Sequence, residues 1–222
     1  FDFVMPGYLF SAREFIRRYQ DGRHAEELRL RIRPFLMRRL KSDVMAELPE
    51  KYSTTMYCEM GTEQRRVYQA ALLKSRRWVN ELMEKKGLDG SRIEVLSAIT
   101  LMRQICCHPL LTMEDYTGDS AKLDLLMEVL PDALKSGRRV LLFSQFTSML
   151  KIIRARLDEA GIPSLYLDGE TGAQERIQLA DRFNQGQVPV FLISLKAGGT
   201  GLNLTGADMV IHYDPWWNPT AE

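Results

Sequence analysis

The chain has 222 residues, 45% of them hydrophobic, which is enough for one large domain or two small ones. Its 30 basic and 29 acidic residues leave a net charge of +1, so any contact with nucleic acid must come from local patches. No apolar run approaches the roughly 20 residues of a membrane-spanning helix, and the three cysteines, Cys58, Cys106 and Cys107, lack the separated pairs of a zinc site or a disulfide framework.

The first half of the chain is predicted to be mainly helical. Helices are expected over residues 12–19 with Ser11 as the cap, over residues 25–32, over residues 62–85 with Thr62 as the cap, and over residues 92–107 with Ser91 as the cap. Residues 51–59 alternate and predict a strand. His108 precedes a proline at a helix end and is predicted to be structural.

A run of basic residues lies between residues 28 and 41. It contains Arg29, Arg31, Arg33, Arg38, Arg39 and Lys41, with no acidic residue among them. Such a run is either a solvated helix face or a patch that faces phosphates, and the sequence leaves both interpretations open.

Beyond a polar, glycine-bearing boundary at residues 116–120, helices and strands alternate. Strands are predicted over residues 140–143, 164–167, 190–194 and 209–213, with helices before, between and after the first two of them. This alternation requires a parallel sheet that is covered on both faces. The strands at 190–194 and 209–213 are both predicted to be buried, and the loops after them to lie side by side, where parallel sheets bind ligands.

Three glycines, Gly198, Gly199 and Gly201, follow the strand at 190–194 and predict an irregular loop that approaches another molecule closely. Lys196 and Thr200 frame this loop, whose backbone N–H groups can cradle a phosphate. The alternative is an ordinary glycine-rich turn.

The loops after the other strands also carry polar or aromatic side chains. Ser144 and Gln145 offer hydrogen-bond donors at a helix entrance, although Ser144 is equally suited to a simple cap. Asp168 and Gly169 predict a turn, and Asp214 is predicted to cap its own turn. Of the adjacent Trp216 and Trp217, one is expected in the core and the other exposed.

Several strings resemble the SWI/SNF-type DNA translocases, a branch of the superfamily-two helicases. SLKAGGTGLNLTGADMVIHYDPWWNP resembles motif V and its continuation, and RVLLFSQFTSML resembles motif IV. RPFLMRRLKSDVMAELPEK and LMRQICCHPLL resemble the segments that lead from the first lobe to the second. The resemblance implies an α/β fold with a parallel-sheet, RecA-like helicase C-terminal lobe of the P-loop NTPase type, preceded by a mainly helical subdomain.

The resemblance also implies a division of the chain and a set of site residues. Residues 1–50 would end the first lobe and form a linker, residues 51–118 would be a helical insertion, and residues 119–222 would be the C-terminal lobe, truncated before motif VI. The implied DNA contacts are Ser144, Gln145, Gly169, Arg176, Lys196, Gly198, Gly199, Thr200, Trp217 and Asn218. Gly201 and Asn203 would face the nucleotide. No catalytic residue and no metal ligand is predicted.

The activity implied by the resemblance is ATP-driven translocation along double-stranded DNA, with ATP and Mg²⁺ as cofactors of the intact protein. Phosphoryl transfer needs a phosphate cradle, a metal-holding acid and an arginine, and the chain has none in recognisable form. By itself it is therefore expected to be inactive and to bind no cofactor. The implied partners are double-stranded DNA and the N-terminal RecA-like lobe of the same protein, with other proteins of DNA metabolism as further candidates and no membrane.

The strings QICCHPLL and PGYL favour a bacterial member, cytosolic and associated with the nucleoid, over a remodeller of nucleosomes. Two other functions stay open: a strand-separating DNA or RNA helicase lobe, and a non-catalytic nucleic-acid-binding scaffold. Unwinding of a forked duplex would favour the first. The intact Gln145, glycine loop and Trp217 argue against the second. The near-neutral charge predicts weak, salt-sensitive DNA binding by the isolated chain.

Overall fold

The structure, a computed structural model, describes residues 1–37, 52–87, 89–198 and 201–216. The predicted site residues Gly199, Thr200, Trp217 and Asn218 therefore lie outside the described residues, as do Arg38, Arg39 and Lys41 of the basic run. Contacts divide the chain into two units, Phe1–Thr55 and Met56–Glu222. The three-part division predicted from the sequence stays a prediction.

The first unit contains two short helices, α1 over Ala12–Tyr19 and α2 over Ala25–Ile32, and a 3-10 turn over Arg33–Phe35. Ser11 caps α1 as predicted. Its hydroxyl accepts a hydrogen bond from the backbone N–H of Glu14, whose carboxylate in turn accepts from the backbone N–H of Ser11.

Part of the basic run is already paired with acidic residues of its own helix. Arg31 binds Glu27 at 3.2 Å, and Arg29 binds Glu26 at 3.4 Å. Glu27 also binds Arg18, and hydrogen bonds from that guanidinium hold the pKa of Glu27 below its usual range. Since these pairs satisfy the charges, the described part of the run agrees with a solvated helix face.

The second unit begins with helices. They are α3 over Thr62–Lys86, α4 over Arg92–Cys107 and α5 over Ala121–Lys135, with 3-10 turns over Asp89–Ser91 and Pro109–Leu111. The strand predicted near residues 51–59 is wrong, because described residues 52–60 find no partner strand and have no regular secondary structure. Two predicted caps also differ: Gly61 precedes α3 as its cap, and the hydroxyl of Ser91 makes no capping hydrogen bond.

Gln64 joins these three helices through its buried side-chain amide. It is 2% exposed. Its Nε2 donates to the carbonyl of Ile105 at the end of α4, over 2.9 Å, and its Oε1 accepts from the backbone N–H of Ala121 at the start of α5, over 3.2 Å. One side chain therefore satisfies backbone groups that two helix ends leave open.

His108 caps the 3-10 turn that follows α4. Its Nδ1 accepts a hydrogen bond from the backbone N–H of Leu110 at 3.1 Å, so the ring must be neutral at that nitrogen. Burial lowers the pKa of His108, although Asp124 and Asp119 favour its charged form. The structural role predicted from its place before Pro109 agrees with this geometry.

We expect His108 to make the chain less stable as the pH falls. Its folded pKa lies below the unfolded value near 6.5, so the unfolded chain takes up the proton first and stability falls as pH drops through that value. His108→Asn keeps an acceptor for the N–H of Leu110 but does not titrate. Thermal unfolding at about pH 7.5 and about pH 5.5 should show a smaller loss for the variant than for the wild type. An equal loss would contradict the assignment.

A four-stranded parallel sheet forms the rest of the second unit. Its strands are β1 over Val140–Ser144, β2 over Ser164–Leu167, β3 over Val190–Ser194 and β4 over Met209–His212, in the order β2-β3-β1-β4. Helix α6 over Thr147–Glu159 follows β1, and α7 over Ala173–Asn184 follows β2. This is the predicted parallel α/β sheet, and the predicted bounds of β2 and β3 are confirmed.

Successive residues of β1 enter two different cores. Leu142 packs in a cluster with Leu150 and Ile153 of α6, together with leucines of α5. Leu141 packs on the opposite face with Phe183 of α7 and Phe191 of β3. The alternation places helices on both faces of the sheet, as expected for parallel strands. Among the described residues, no helix has the length and apolar character needed to span a bilayer.

The prediction that β4 is a buried strand is wrong. In the described sheet β4 pairs with β1 alone, and its residues alternate between half-buried and exposed, with Val210 51% exposed. An edge strand with one solvated face needs apolar side chains on only one side. The run MVIHY has apolar residues on both sides, with His212 as the exception, which is why pattern alone placed it in the interior.

Candidate functional site

The carboxyl edge of the sheet, defined here as the last residues of the four strands and the loops after them, collects most of the predicted site residues. The loops lie in the order 168–171, 195–198, 145–146 and 213–216, following the strand order β2-β3-β1-β4. The expectation that the loops after β3 and β4 lie side by side is wrong, because β1 pairs with both strands and separates them. The loop after β1, which carries Gln145, therefore lies between the loop after β3 and the loop after β4.

Ser144, the last residue of β1, is fully buried and held by hydrogen bonds on two sides. Its hydroxyl donates to Asp214 Oδ1, and its Oγ accepts from the backbone N–H of Phe146 at 3.1 Å. The second contact bonds the residue that precedes α6, and α6 starts without a side-chain capping hydrogen bond, so the simple helix cap that the sequence allowed is not formed. A direct DNA contact by Ser144 stays a prediction, and in this arrangement its side chain has no exposed surface.

The prediction that Asp214 caps its own turn is wrong, because its carboxylate reaches across to the end of β1 and the loop after it. Asp214 is 2% exposed, and its Oδ2 accepts from the backbone N–H of Gln145 at 3.2 Å. The adjacent strands are already joined at this point by the backbone N–H of Tyr213, which donates to the carbonyl of Phe143 at 2.9 Å. The carboxylate therefore fixes the loop after β1 rather than the pairing of the strands.

The glycine-rich segment after β3 begins as a helix, which corrects the prediction of a wholly irregular loop. Leu195–Gly198 form a single helical turn, α8, in which Lys196 is exposed. A Cβ added to Gly198 would lie 2.7 Å from Cε1 of Phe143, so the glycine allows β1 and α8 to approach closely. Gly201 has a φ of +62°, the left-handed conformation that glycine adopts without strain.

The loop after β2 is ordered by hydrogen bonds. Asp168 accepts from the backbone N–H of Glu170 at 2.9 Å, and its own N–H donates to Thr171 Oγ1 at 3.1 Å. Arg176 donates to the carbonyls of Thr171 and Asp168, at 2.9 and 3.1 Å. The predicted turn at Asp168 and Gly169 is present. In this arrangement the guanidinium of Arg176 stabilises the loop after β2. The DNA contacts predicted for Gly169 and Arg176 stay predictions.

The structure does not bring Asn203 to the carboxyl edge. Its carbonyl accepts from Asn184 Nδ2 at 2.9 Å, and Asn184 Oδ1 accepts from the backbone N–H of Gly206 at 3.0 Å. Asn184 ends α7, before β3, so these bonds lie towards the amino ends of the strands. The side chain of Asn203 is exposed, and a nucleotide contact by Asn203 or Gly201 stays a prediction.

The helical part of the second unit holds the loop after β4. The guanidinium of Arg103 donates to the carbonyl of Pro215, and Tyr213 Oη donates to the carbonyl of Cys107 at 3.0 Å. Lys122 Nζ donates to the carbonyl of Tyr213 at 3.4 Å. Sequence reasoning missed Arg103 because a single arginine in an amphipathic helix has no local feature that distinguishes it.

The cysteines and acidic residues do not form a metal centre in the described part of the chain. Among the described residues, no group of three or more His, Cys, Asp or Glu side chains could hold a metal ion. Burial raises the pKa of the Cys107 thiol to about 12, which makes it a poor nucleophile.

Models of two protein families match the chain. The SNF2-related domain matches residues 1–111, and the helicase conserved C-terminal domain matches residues 121–222. The chain is 36% identical over 239 residues to a putative ATP-dependent helicase/translocase, YwqA, of Bacillus subtilis, covering 100% of the chain and 25% of that protein. It is 35% identical over 250 residues to the DNA excision repair protein CSB of Oryza sativa, covering 100% of the chain and 20% of that protein.

A solved structure is similar over almost the whole chain. It is the SWI2/SNF2 ATPase core of Sulfolobus solfataricus in complex with dsDNA, with a TM-score of 0.67 and 32% identity. The match covers 98% of this chain and 48% of that one. The chain thus spans a quarter or less of the length of these two curated relatives and about half of this solved core.

Proposed function

This chain belongs to the SNF2-related family, and on that premise we propose that it supplies the C-terminal part of an ATP-dependent translocase that moves along double-stranded DNA. The observation that carries the proposal is the carboxyl edge of the sheet. There Gln145, Lys196 and the loop after β4 lie on adjacent loops, and buried hydrogen bonds fix the central one. Such an edge tracks a phosphate backbone without reading sequence.

Finer features belong to the same proposal. The intact protein uses Mg²⁺ with ATP. Residues 1–50, 51–118 and 119–222 act as the end of the first lobe with its linker, a helical insertion and the C-terminal lobe. The N-terminal RecA-like lobe of the same protein completes the ATP site. The protein works in the bacterial cytosol, at the nucleoid, with other proteins of DNA metabolism as candidate partners.

ATP turnover with and without duplex DNA tests this function. We expect duplex DNA to stimulate turnover by the intact protein that contains this chain, and the isolated chain to be silent. Turnover by the isolated chain would show that its phosphate-binding residues have been misassigned. An intact protein that is silent with duplex DNA would favour the scaffold, and unwinding of a forked duplex would favour the strand-separating helicase.

The variant Lys196→Gln tests the DNA contact that is predicted for Lys196. Lys196 is exposed at the carboxyl edge, so its loss should weaken DNA binding by the intact protein and reduce the slope of log K against log salt by about 0.9, as for one lost phosphate contact. Lys135→Gln is the matched control, because Lys135 is an exposed lysine on α5 that pairs with Asp132. A slope unchanged by Lys196→Gln would remove Lys196 from the DNA contacts.

A further inference from the structure

We propose that Asp214 is a positioning residue that holds Gln145 in place for its contact with DNA. The proposal rests on the proposed function, because Gln145 matters in this way only if the carboxyl edge faces DNA. The proposal gives Asp214 a role beyond the turn cap that was predicted from the sequence. The role is indirect: Asp214 acts through the backbone N–H of Gln145 and the hydroxyl of Ser144.

The Asp214 carboxylate is buried. Removing a charged group from water is unfavourable unless hydrogen bonds replace those to water. Within the described part of the chain, the carboxylate has hydrogen-bond partners but no ion-pair partner. Both of its donors come from Ser144 and Gln145, at the point where β1 ends. A charge-assisted bond to the N–H of Gln145 restricts where the Gln145 backbone lies.

Pairing of β1 with β4 does not need the Asp214 carboxylate. β1 and β4 are in register from Val140 with Met209 to Phe143 with His212, and the N–H of Tyr213 extends the pairing by one further bond. Asp214 comes after that last backbone bond. Its contribution is therefore to the loop and not to the sheet.

The side-chain amide of Gln145 has an unsatisfied hydrogen-bond donor. In the described part of the chain its amide Nε2 is shielded from solvent and has no hydrogen-bond partner. A shielded donor without a partner is unfavourable, so a rotation of the side chain that brings Nε2 to an acceptor on a ligand would be favourable. A phosphate oxygen of the DNA backbone is an acceptor of this kind.

The experiment is a titration of ATP turnover by the intact protein with duplex DNA, for the wild type, Asp214→Asn, Gln145→Ala and the double variant. Asp214→Asn keeps the size of the side chain but removes the charge. We expect it to raise the DNA concentration for half-maximal stimulation about tenfold, the effect of about one charge-assisted hydrogen bond. The double variant should be no weaker than Gln145→Ala alone, because both changes disable the same contact.

Asp208→Asn is the matched control. Asp208 precedes β4 at the opposite edge of the sheet, where its Oδ2 accepts from the backbone N–H of Arg139 at 3.0 Å and so also links the β4 and β1 segments. We expect this variant to leave the half-saturating DNA concentration unchanged. A higher half-saturating DNA concentration for Asp208→Asn as well would instead indicate that both aspartates act by tying the two strands together.

The outcomes separate the inference from the proposed function. An unchanged half-saturation for Asp214→Asn, or effects of Asp214→Asn and Gln145→Ala that multiply, would overturn the inference while DNA stimulation of the wild type persists. Absence of stimulation in the wild type would overturn the proposed function itself. If Asp214→Asn does not fold, Ser144→Ala decides the question, since it removes one donor to the carboxylate and should also raise half-saturation without adding to Gln145→Ala.

Discussion

Gln64→Ala is expected to lower the free energy of unfolding of the chain by about 2–6 kcal/mol, because it leaves one buried and one part-buried backbone group without a partner, each worth about 1–3 kcal/mol. These groups are the carbonyl of Ile105 and the N–H of Ala121, which end α4 and begin α5. The alanine side chain cannot reach either of them, and Gln64 is buried too deeply for water to replace the amide without rearrangement.

Urea unfolding measures this effect through the midpoint at constant m-value. Gln69→Ala is the matched control, since Gln69 is an exposed glutamine on the same helix, and its replacement should change stability by less than about 0.5 kcal/mol. Equal midpoints for the two variants would mean that the amide of Gln64 does not hold the three helices together.

Val190→Ala is expected to cost about 2–3 kcal/mol, from two buried methyl groups at about 0.8 kcal/mol each together with the cavity that they leave. Val190 is fully buried on β3, which pairs with strands on both sides. Val210→Ala makes the same chemical change on β4, where the side chain is 51% exposed, and should cost less than about 1 kcal/mol.

The comparison of these two valines tests the position of β4 in the sheet. Both variants are measured by urea unfolding under the same conditions. If Val210→Ala proved as costly as Val190→Ala, β4 would be covered on the face that the structure leaves exposed. A small effect of Val190→Ala would instead mean that the sheet interior adjusts to fill the cavity.

The sequence by itself determined most of the local elements and the family. The β-branched run of β3 and the helical spacing in α6 and α7 predicted those elements, and the bounds of β3 are as expected. Local pattern is sufficient here because α6 and α7 each bury one side, β3 is a short β-branched apolar run, and helices and strands alternate regularly along the chain. Ser144 and Gln145 could also be placed at the carboxyl edge from the sequence, because they come at the predicted end of β1.

Only the tertiary structure decided which strands are neighbours and which distant groups meet. Periodicity indicates that a strand is apolar but not whether it is central, so β4 could not be recognised as an edge strand. The hydrogen bond from Ser144 to Asp214 joins residues 70 positions apart, and that from Gln64 to Ile105 joins residues 41 apart. Contacts at such separations depend on how the elements pack, and a single sequence has no local feature that encodes them.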